Sequence, residues 1–152
     1  MKSFWKKTFT LIVVLSLLIA TIVIPSSAVS ERSSLYLSRY RAWLTPKNNG
    51  AISVTIDVQA VGDMEDIGAT QVVIYKSSDG GSTWALDTVY SSTLYPELLQ
   101  QDTYLYCETP ITHIGRPGNK YFAVITIYAG DSTGYDTRQY QTTTITAKWK
   151  GD

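Results

Sequence analysis

Few side chains in this sequence combine the residue types and spacing that catalysis or metal binding requires. A predicted loop contains an acidic cluster of Asp63, Glu65 and Asp66. Calcium takes roughly six to eight oxygen ligands, often from a regular Asp-x-Asp-x-Asp-Gly pattern that this loop lacks. His113 is the only histidine and Cys107 the only cysteine, which excludes the usual zinc sites. We therefore expect no metal and no cofactor.

Nucleophilic catalysis has equally little support. A serine triad would have to use His113, and no Gly-x-Ser-x-Gly elbow accompanies it. A glycosidase needs two converging carboxylates, and none of the thirteen acidic residues stands out as half of such a pair. Cys107 is expected to be a small, half-buried apolar side chain; the alternative is a reactive thiol or an intermolecular bridge. The sequence predicts no enzyme, with a secreted hydrolase as the alternative.

The sharpest motif is a glycine-rich turn that resembles the Asp-box hairpin of sialidase blades. It matches the pattern Ser-x-Asp-x-Gly-x-Thr-Trp at every defined position: Ser77, Asp79, Gly81, Thr83 and Trp84. The aspartate can accept hydrogen bonds from N–H groups of its own turn, and glycine tolerates positive φ. In sialidases this hairpin lies away from the catalytic face, so the resemblance implies a structural turn. One copy cannot build a propeller.

The first 28 residues predict a cleavable secretory signal peptide. A basic start is followed by an apolar run over Leu11–Ile24, by Pro25 and by small residues up to Ala28. This order is typical of secretory signals, and we expect cleavage between Ala28 and Val29. Cleavage after Ser30 is the near alternative, and an uncleaved anchor is the other; the apolar run is short for a membrane span of about 20 residues.

Cleavage changes the charge of the chain. The removed segment contains Lys2, Lys6 and Lys7, so ten basic residues remain against thirteen acidic ones, a net charge of −3. An acidic product without a basic run argues against nucleic-acid binding and against membrane binding after cleavage. We expect one domain over residues 29–152, located outside the cell. An exported domain with a single cysteine suggests a Gram-positive bacterium.

The exported part predicts an all-β domain. Apolar and polar residues alternate between Gly, Asn, Asp and Pro turns, and no helix of about ten residues is credible. The expected strands are 35–44, 51–60, 70–76, 84–90, 103–107, 111–114, 120–129 and 135–149. Residues 62–68 are expected to form a loop, Pro110 to interrupt a strand, and Pro96–Leu99 to form one helical turn. The number and spacing of strands indicate a two-sheet sandwich of about seven strands.

Two segments refine this prediction by resemblance. Tyr121–Ala129 resembles the Tyr-x-Val-x-Val-x-Ala penultimate strand of immunoglobulin-like and fibronectin type III-like domains, and Tyr121 is placed like the tyrosine of a tyrosine corner. Gly134-Tyr135-Asp136 then enters a threonine-rich last strand. The resemblance implies an immunoglobulin-like or fibronectin type III-like antiparallel sandwich, preceded by the helical signal peptide.

The exported chain also resembles a family of small exported Firmicutes proteins of unknown function. The matching segments are Tyr36–Tyr40, Gly50–Val54, Met64–Ala69 and Ile127–Gly130. The resemblance implies compartment and fold but no activity.

We therefore expect a secreted, non-enzymatic module that binds an extracellular protein or glycan or has a structural role at the cell surface. Carbohydrate binding is the alternative and would need coplanar exposed aromatic rings; tyrosines such as Tyr104 and Tyr106 would form either such a stripe or part of the core. Self-assembly would need an unpaired, apolar edge strand. The apolar segment 94–99 would either cover an open end of the sandwich or offer a contact patch.

Overall fold

Extended backbone dominates the computed structural model, which describes residues 34–151. The predicted signal peptide and its predicted cleavage site between Ala28 and Val29 lie outside the described residues. The strands are β1 (Leu37–Pro46), β2 (Ala51–Met64), β3 (Asp66–Ser77), β4 (Ala85–Ser91), β5 (Leu99–Gln100), β6 (Thr103–Ile114), β7 (Lys120–Asp131), β8 (Gly134–Gln141) and β9 (Ile145–Thr146). Two single 3-10 turns cover Asn48–Gly50 and Pro96–Leu98.

The strands form two antiparallel sheets that pack face to face. The three-stranded sheet has the order β1-β2-β6. The other sheet has six strands, and we call it the four-stranded sheet after its four longer strands, which have the order β4-β3-β7-β8. The short strands β5 and β9 extend the second sheet by pairing with β3 and β7. The predicted all-β sandwich is thus confirmed. Among the described residues, no helix has the length and apolar character of a membrane span.

Strict alternation of side chains explains where the core lies. In β2, Ile52, Val54, Ile56 and Val58 are completely buried, whereas Ser53 and Thr55 face outward. Strands β3 and β7 contribute the facing layer of the core, chiefly Val72, Ile74, Ile125 and Ile127. As its apolar sequence predicts, β7 is central, between β3 and β8.

The predicted loop over residues 62–68 is wrong, because β2 and β3 extend into it. Asp66 and Ile67 pair with Gly130 and Ala129 of β7, and the Ile67 side chain is completely buried. Pairing with a neighbouring strand and burial of one apolar side chain outweigh the low strand propensity of Asp and Gly.

Two further predictions about strand continuity need correction. Pro110 does not interrupt β6, since β6 is an edge strand and the missing N–H falls at an irregularity between the Ile111 and Glu108 pairings. The long closing strand predicted over 135–149 is instead divided into β8 and β9. The chain leaves the ladder at Thr142, whose buried hydroxyl accepts the Ala123 N–H at 3.0 Å and so replaces a strand contact.

The apolar segment 94–99 contributes to the core. Leu98 is completely buried, and the Tyr106 hydroxyl donates to the Glu97 carbonyl at 2.7 Å. Burial raises the pKa of Tyr106, and the nearby Glu108 and Glu97 carboxylates raise it further. Tyr104 is largely exposed whereas Tyr106 is buried, so these two tyrosines do not form a shared stripe.

Candidate functional site

The glycine-rich turn between β3 and β4 is organised around Asp79. Asp79 Oδ1 accepts the N–H groups of Ser82 and Thr83 at 3.0 and 2.9 Å and the Ser77 hydroxyl at 2.6 Å. Its Oδ2 accepts the Thr83 hydroxyl at 2.6 Å. These bonds, from the Ser77 and Thr83 hydroxyls first, hold the pKa of Asp79 well below its ordinary value. The carboxylate is used within its own hairpin.

The remaining motif residues complete the hairpin. The Gly81 N–H donates to the Ser77 hydroxyl at 2.8 Å, and Gly81 has a φ of 101°, which a side chain would disfavour. The Trp84 ring packs edge-on against Phe122, with centroids 4.7 Å apart. The turn therefore fixes the position of the tryptophan on the outer face of the four-stranded sheet.

Tyr121 ties the turn between β6 and β7 to the sheet. Its hydroxyl accepts the Arg116 N–H at 2.7 Å, five residues upstream. A Cβ added to Gly115 would lie 2.7 Å from Tyr121 Cζ, so only glycine fits beneath the ring. The Gly115 N–H also donates to the Gly50 carbonyl at 2.9 Å, and the Gly118 N–H to the Ala147 carbonyl at 2.9 Å.

Next to this turn lies an open pocket of about 570 Å³. Its lining residues come from the ends of β3 and β6, from β4, from the start of β7 and from the two connecting turns: Lys76, Ser78, Asp87, Ile114, Gly115, Arg116, Pro117, Asn119 and Tyr121. The polar side chains are mostly hydrogen-bond donors, and the apolar side chains of the lining that reach solvent are Ile114 and Pro117. The volume is typical of a site for a small molecule.

A row of polar contacts, which we call the polar network, leads from this pocket into the protein. Lys76 Nζ lies 2.7 Å from Asp87 Oδ1, and Asp87 Oδ2 lies 2.8 Å from Nε2 of the buried His113. His113 Nδ1 lies 3.0 Å from the Tyr90 hydroxyl. Since a carboxylate only accepts, Nε2 of a neutral ring carries the hydrogen and Nδ1 accepts the tyrosine proton. The polar network joins β6 of one sheet to β4 of the other.

The pKa shifts of Lys76 and Tyr90 are consistent with side chains that contact one another in the polar network. Hydrogen bonding and charge attraction from Asp87 raise the pKa of Lys76, so the ammonium stays protonated. Burial raises the pKa of Tyr90, with smaller contributions from Tyr95 and Asp87. The sequence did not predict this polar network, because its residues lie on three different strands. The irregularity in β4 that turns Asp87 inward has no recognisable sequence pattern.

The outer face of the four-stranded sheet carries an apolar cluster. It consists of side chains paired across β4, β3 and β7 plus the hairpin tryptophan, and we call it the apolar face: Val73, Tyr75, Trp84, Leu86, Val89, Phe122 and Val124. The Tyr75 and Phe122 rings stack with centroids 5.0 Å apart and planes 13° apart. Leu86 and Val89 are 57% and 44% exposed, so an edge strand presents apolar side chains to solvent.

The outer face of the three-stranded sheet is charged instead. Asp57 is buried there beneath Arg41, whose Nε lies 2.7 Å from Asp57 Oδ2. The Arg41 guanidinium also lies over the Trp43 ring at 5.3 Å. Cys107, opposite Asp57 in the next strand, is exposed, so the prediction of a half-buried thiol is wrong. Alternation placed it on the outer face of an edge strand.

The two ends of the sandwich differ in charge. The connections at the Gly50–Gly115 end bring together the side chains of Lys47, Lys76, Arg116, Lys120 and Lys148, and we call this the basic end. The opposite end, where β2 meets β3 and β7 meets β8, carries Asp63, Glu65, Asp66, Asp131 and Asp136, and we call it the acidic end. No group of three metal-ligating side chains occurs in the described part of the chain, the predicted acidic cluster included.

Comparison with known proteins gives no relative: no protein-family model, no curated protein and no solved structure matches this chain.

Proposed function

We propose that the chain is a secreted, non-enzymatic, fibronectin type III-like module that binds a protein outside the cell through its apolar face. The observation that carries the proposal is the row of exposed and half-exposed apolar side chains across β4, β3 and β7. The core between the sheets is complete without them. Contiguous exposed apolar surface of this kind is typical of protein interaction sites.

Strand order supports the fibronectin type III-like assignment. In constant-type immunoglobulin domains the fourth strand belongs to the same sheet as the first and second. Here β4 pairs with β3 in the other sheet, and the first sheet contains only β1, β2 and β6. The hydrogen bond from the Arg116 N–H to the Tyr121 hydroxyl supports a tyrosine corner at the start of the penultimate long strand.

Secretion is proposed from the sequence. The features of residues 1–28 support it, and so does the resemblance to small exported proteins of Firmicutes. The expected product begins at Val29, and we propose a Gram-positive bacterium as its source.

The ring geometry favours a protein over a glycan on the apolar face. Sugar rings stack on flat aromatic faces that are open to solvent. Tyr75 and Phe122 turn these faces towards each other, and Trp84 meets Phe122 at 72°. Leu86 and Val89 add aliphatic surface, which suits apolar side chains of a protein partner.

The pocket supports a binding role over a hydrolytic one. Its titratable pair, Lys76 and Asp87, is joined by a 2.7 Å contact. Asp87 is also held by His113, so both of its oxygens already make contacts within the protein. A protonated lysine cannot act as a base.

Secretion and binding can be tested together on the product recovered from the culture medium. Mass spectrometry should show an N-terminus at Val29. The labelled product should bind cells of the producing organism, lose this binding when the cells are treated with protease, and retain it after periodate oxidation of surface glycans.

A double variant tests the apolar face. Leu86→Ser with Val89→Ser should reduce cell binding at least tenfold with a melting temperature close to that of the original chain, because both side chains lie outside the core. Val61→Ser, which removes an exposed valine of the other sheet, is the matched control and should bind normally. Binding that survives the double variant, or a free product that is already dimeric through this face, would contradict the proposal.

A further inference from the structure

The pocket at the basic end contains hydrogen-bond donors that the protein itself does not use. Within the described part of the chain, the side chains of Arg116, Asn119 and Ser78 have no hydrogen bond or ion pair. Lys76 uses one contact, to Asp87, and an ammonium has three donors. The only carboxylate in the lining, Asp87, has both oxygens engaged. The pocket therefore offers a ligand mainly hydrogen-bond donors.

The charge around the pocket favours an anionic acceptor. Lys76 and Asp87 balance each other, which leaves the Arg116 guanidinium as the uncompensated charge of the lining. Lys120 follows Asn119 directly and adds to the positive field of the basic end. The planar fork of an arginine matches the two oxygens of a carboxylate, which makes this group the best fit.

The size and the lining of the pocket indicate what the ligand contains besides its carboxylate. A volume of about 570 Å³ is more than a lone carboxylate needs. Ser78 and Asn119 can bond hydroxyl groups, while Ile114 and Pro117 offer apolar surface to a carbon skeleton. A body with several hydroxyls on a short carbon ring satisfies both kinds of wall.

The backbone of the pocket is fixed before any ligand arrives. The Arg116 N–H is held by the Tyr121 hydroxyl, and the Gly118 N–H and the Asn119 carbonyl are both paired with Ala147. A turn pinned at three positions loses little conformational freedom on binding, which favours affinity.

We infer that this pocket is a binding site for a sugar acid, a monosaccharide-sized molecule with one carboxylate, which pairs with Arg116. The inference is independent of the protein partner proposed for the apolar face, since the two sites share no residue.

Calorimetric titration with sodium glucuronate at constant ionic strength tests the site. Wild type should bind in the millimolar range. Glucose, which lacks the carboxylate, and acetate, which lacks the sugar body, should each bind at least tenfold more weakly. Absence of saturable glucuronate binding, or equal affinity for acetate, would overturn the inference.

Two charge-removing variants separate the pocket from the general field of the basic end. Arg116→Gln should weaken glucuronate binding at least tenfold, with an unchanged melting temperature because the guanidinium makes no hydrogen bond or ion pair in the described part of the chain. Lys47→Gln removes a basic-end charge outside the lining and should change affinity less than twofold. Equal losses in the two variants, or a normal affinity in Arg116→Gln, would overturn the site.

Discussion

The acidic and the basic end of the sandwich are built with the same turn chemistry but present opposite charges. At the basic end Asp79 accepts N–H and hydroxyl groups of its own hairpin. At the acidic end Asp131 Oδ1 accepts the N–H and the hydroxyl of Thr133 at 2.7 and 2.6 Å. Hydrogen bonds, from the Thr133 hydroxyl first, lower the pKa of Asp131, as the Ser77 hydroxyl does for Asp79. An aspartate in a turn therefore reveals nothing about the charge around it.

The difference lies in what surrounds these turns. At the acidic end, burial raises the pKa of Tyr128, and the carboxylates of Asp66, Glu65 and Asp131 raise it further, together with Tyr135. At the basic end, the Arg116 guanidinium, the Lys76–Asp87 ion pair and neutral side chains surround an open pocket. The two ends differ in charge because the strand topology places different connecting turns at each end.

The largest expected effect concerns the close packing of the basic-end turn. Gly115→Ala places a Cβ 2.7 Å from Tyr121 Cζ and should lower the free energy of unfolding by about 2–3 kcal/mol. Gly62→Ala, in β2 towards the acidic end, meets nothing within 4 Å and is the control. Urea unfolding measures both. Equal stability of the two variants would show that the turn relaxes around the added methyl group.

The second effect compares the hydroxyl of the buried Tyr121 with the exposed hydroxyl contact of the half-buried Tyr36. Tyr121→Phe leaves the Arg116 N–H without its acceptor and should cost about 1–2 kcal/mol. Tyr36, at the acidic end, makes an exposed hydroxyl contact of 3.1 Å with Thr133, and Tyr36→Phe should cost about 0.5 kcal/mol or less. Thermal and urea unfolding check the order, and a larger loss at Tyr36 would reverse the comparison.

The third effect is a pH dependence common to both ends. The folded-state pKa of Asp79 is lower than its ordinary value of 3.8, so its stabilising contribution is complete above about pH 4 and is lost as the pH falls further. The stability difference between wild type and Asp79→Asn should therefore shrink below about pH 4. Asp131→Asn should behave alike, since its pKa is also lowered. Urea unfolding from neutral to acidic pH tests both, and a pH-independent difference would contradict the turn chemistry.

The smallest effect tests the charge of the acidic end directly. Asp66→Asn removes one of the carboxylates that raise the pKa of Tyr128 and should move this pKa down towards its ordinary value. Spectrophotometric titration of the tyrosines against wild type measures the shift. Asp102→Asn, a substitution at a carboxylate that does not contribute to the Tyr128 shift, is the control, and an unchanged Tyr128 pKa in Asp66→Asn would contradict the clustering of carboxylates.

The local features of the fold were predictable from the sequence. Alternation in β2 identified the buried set from Ile52 to Val58, and apolar continuity identified β7 as central. The Asp79 turn needed only the order of residues, because every hydrogen bond of its carboxylate comes from within four residues. Where the predictions were wrong, at residues 62–68, at Pro110 and after Thr142, a partner strand or a buried side chain distant in sequence decided the outcome.

The sequence by itself determined the alternation of side chains in the long strands and the chemistry of the Asp79 turn, since both depend on neighbours along the chain. Only the tertiary structure decided which strands pair, and with that the position of every long-range contact. The bonds of Asp87 to Lys76 and to His113 link residues 11 and 26 positions apart. The pocket, the apolar face and the opposite charges of the two ends arise in the same way, because each combines side chains from several strands that lie far apart in sequence.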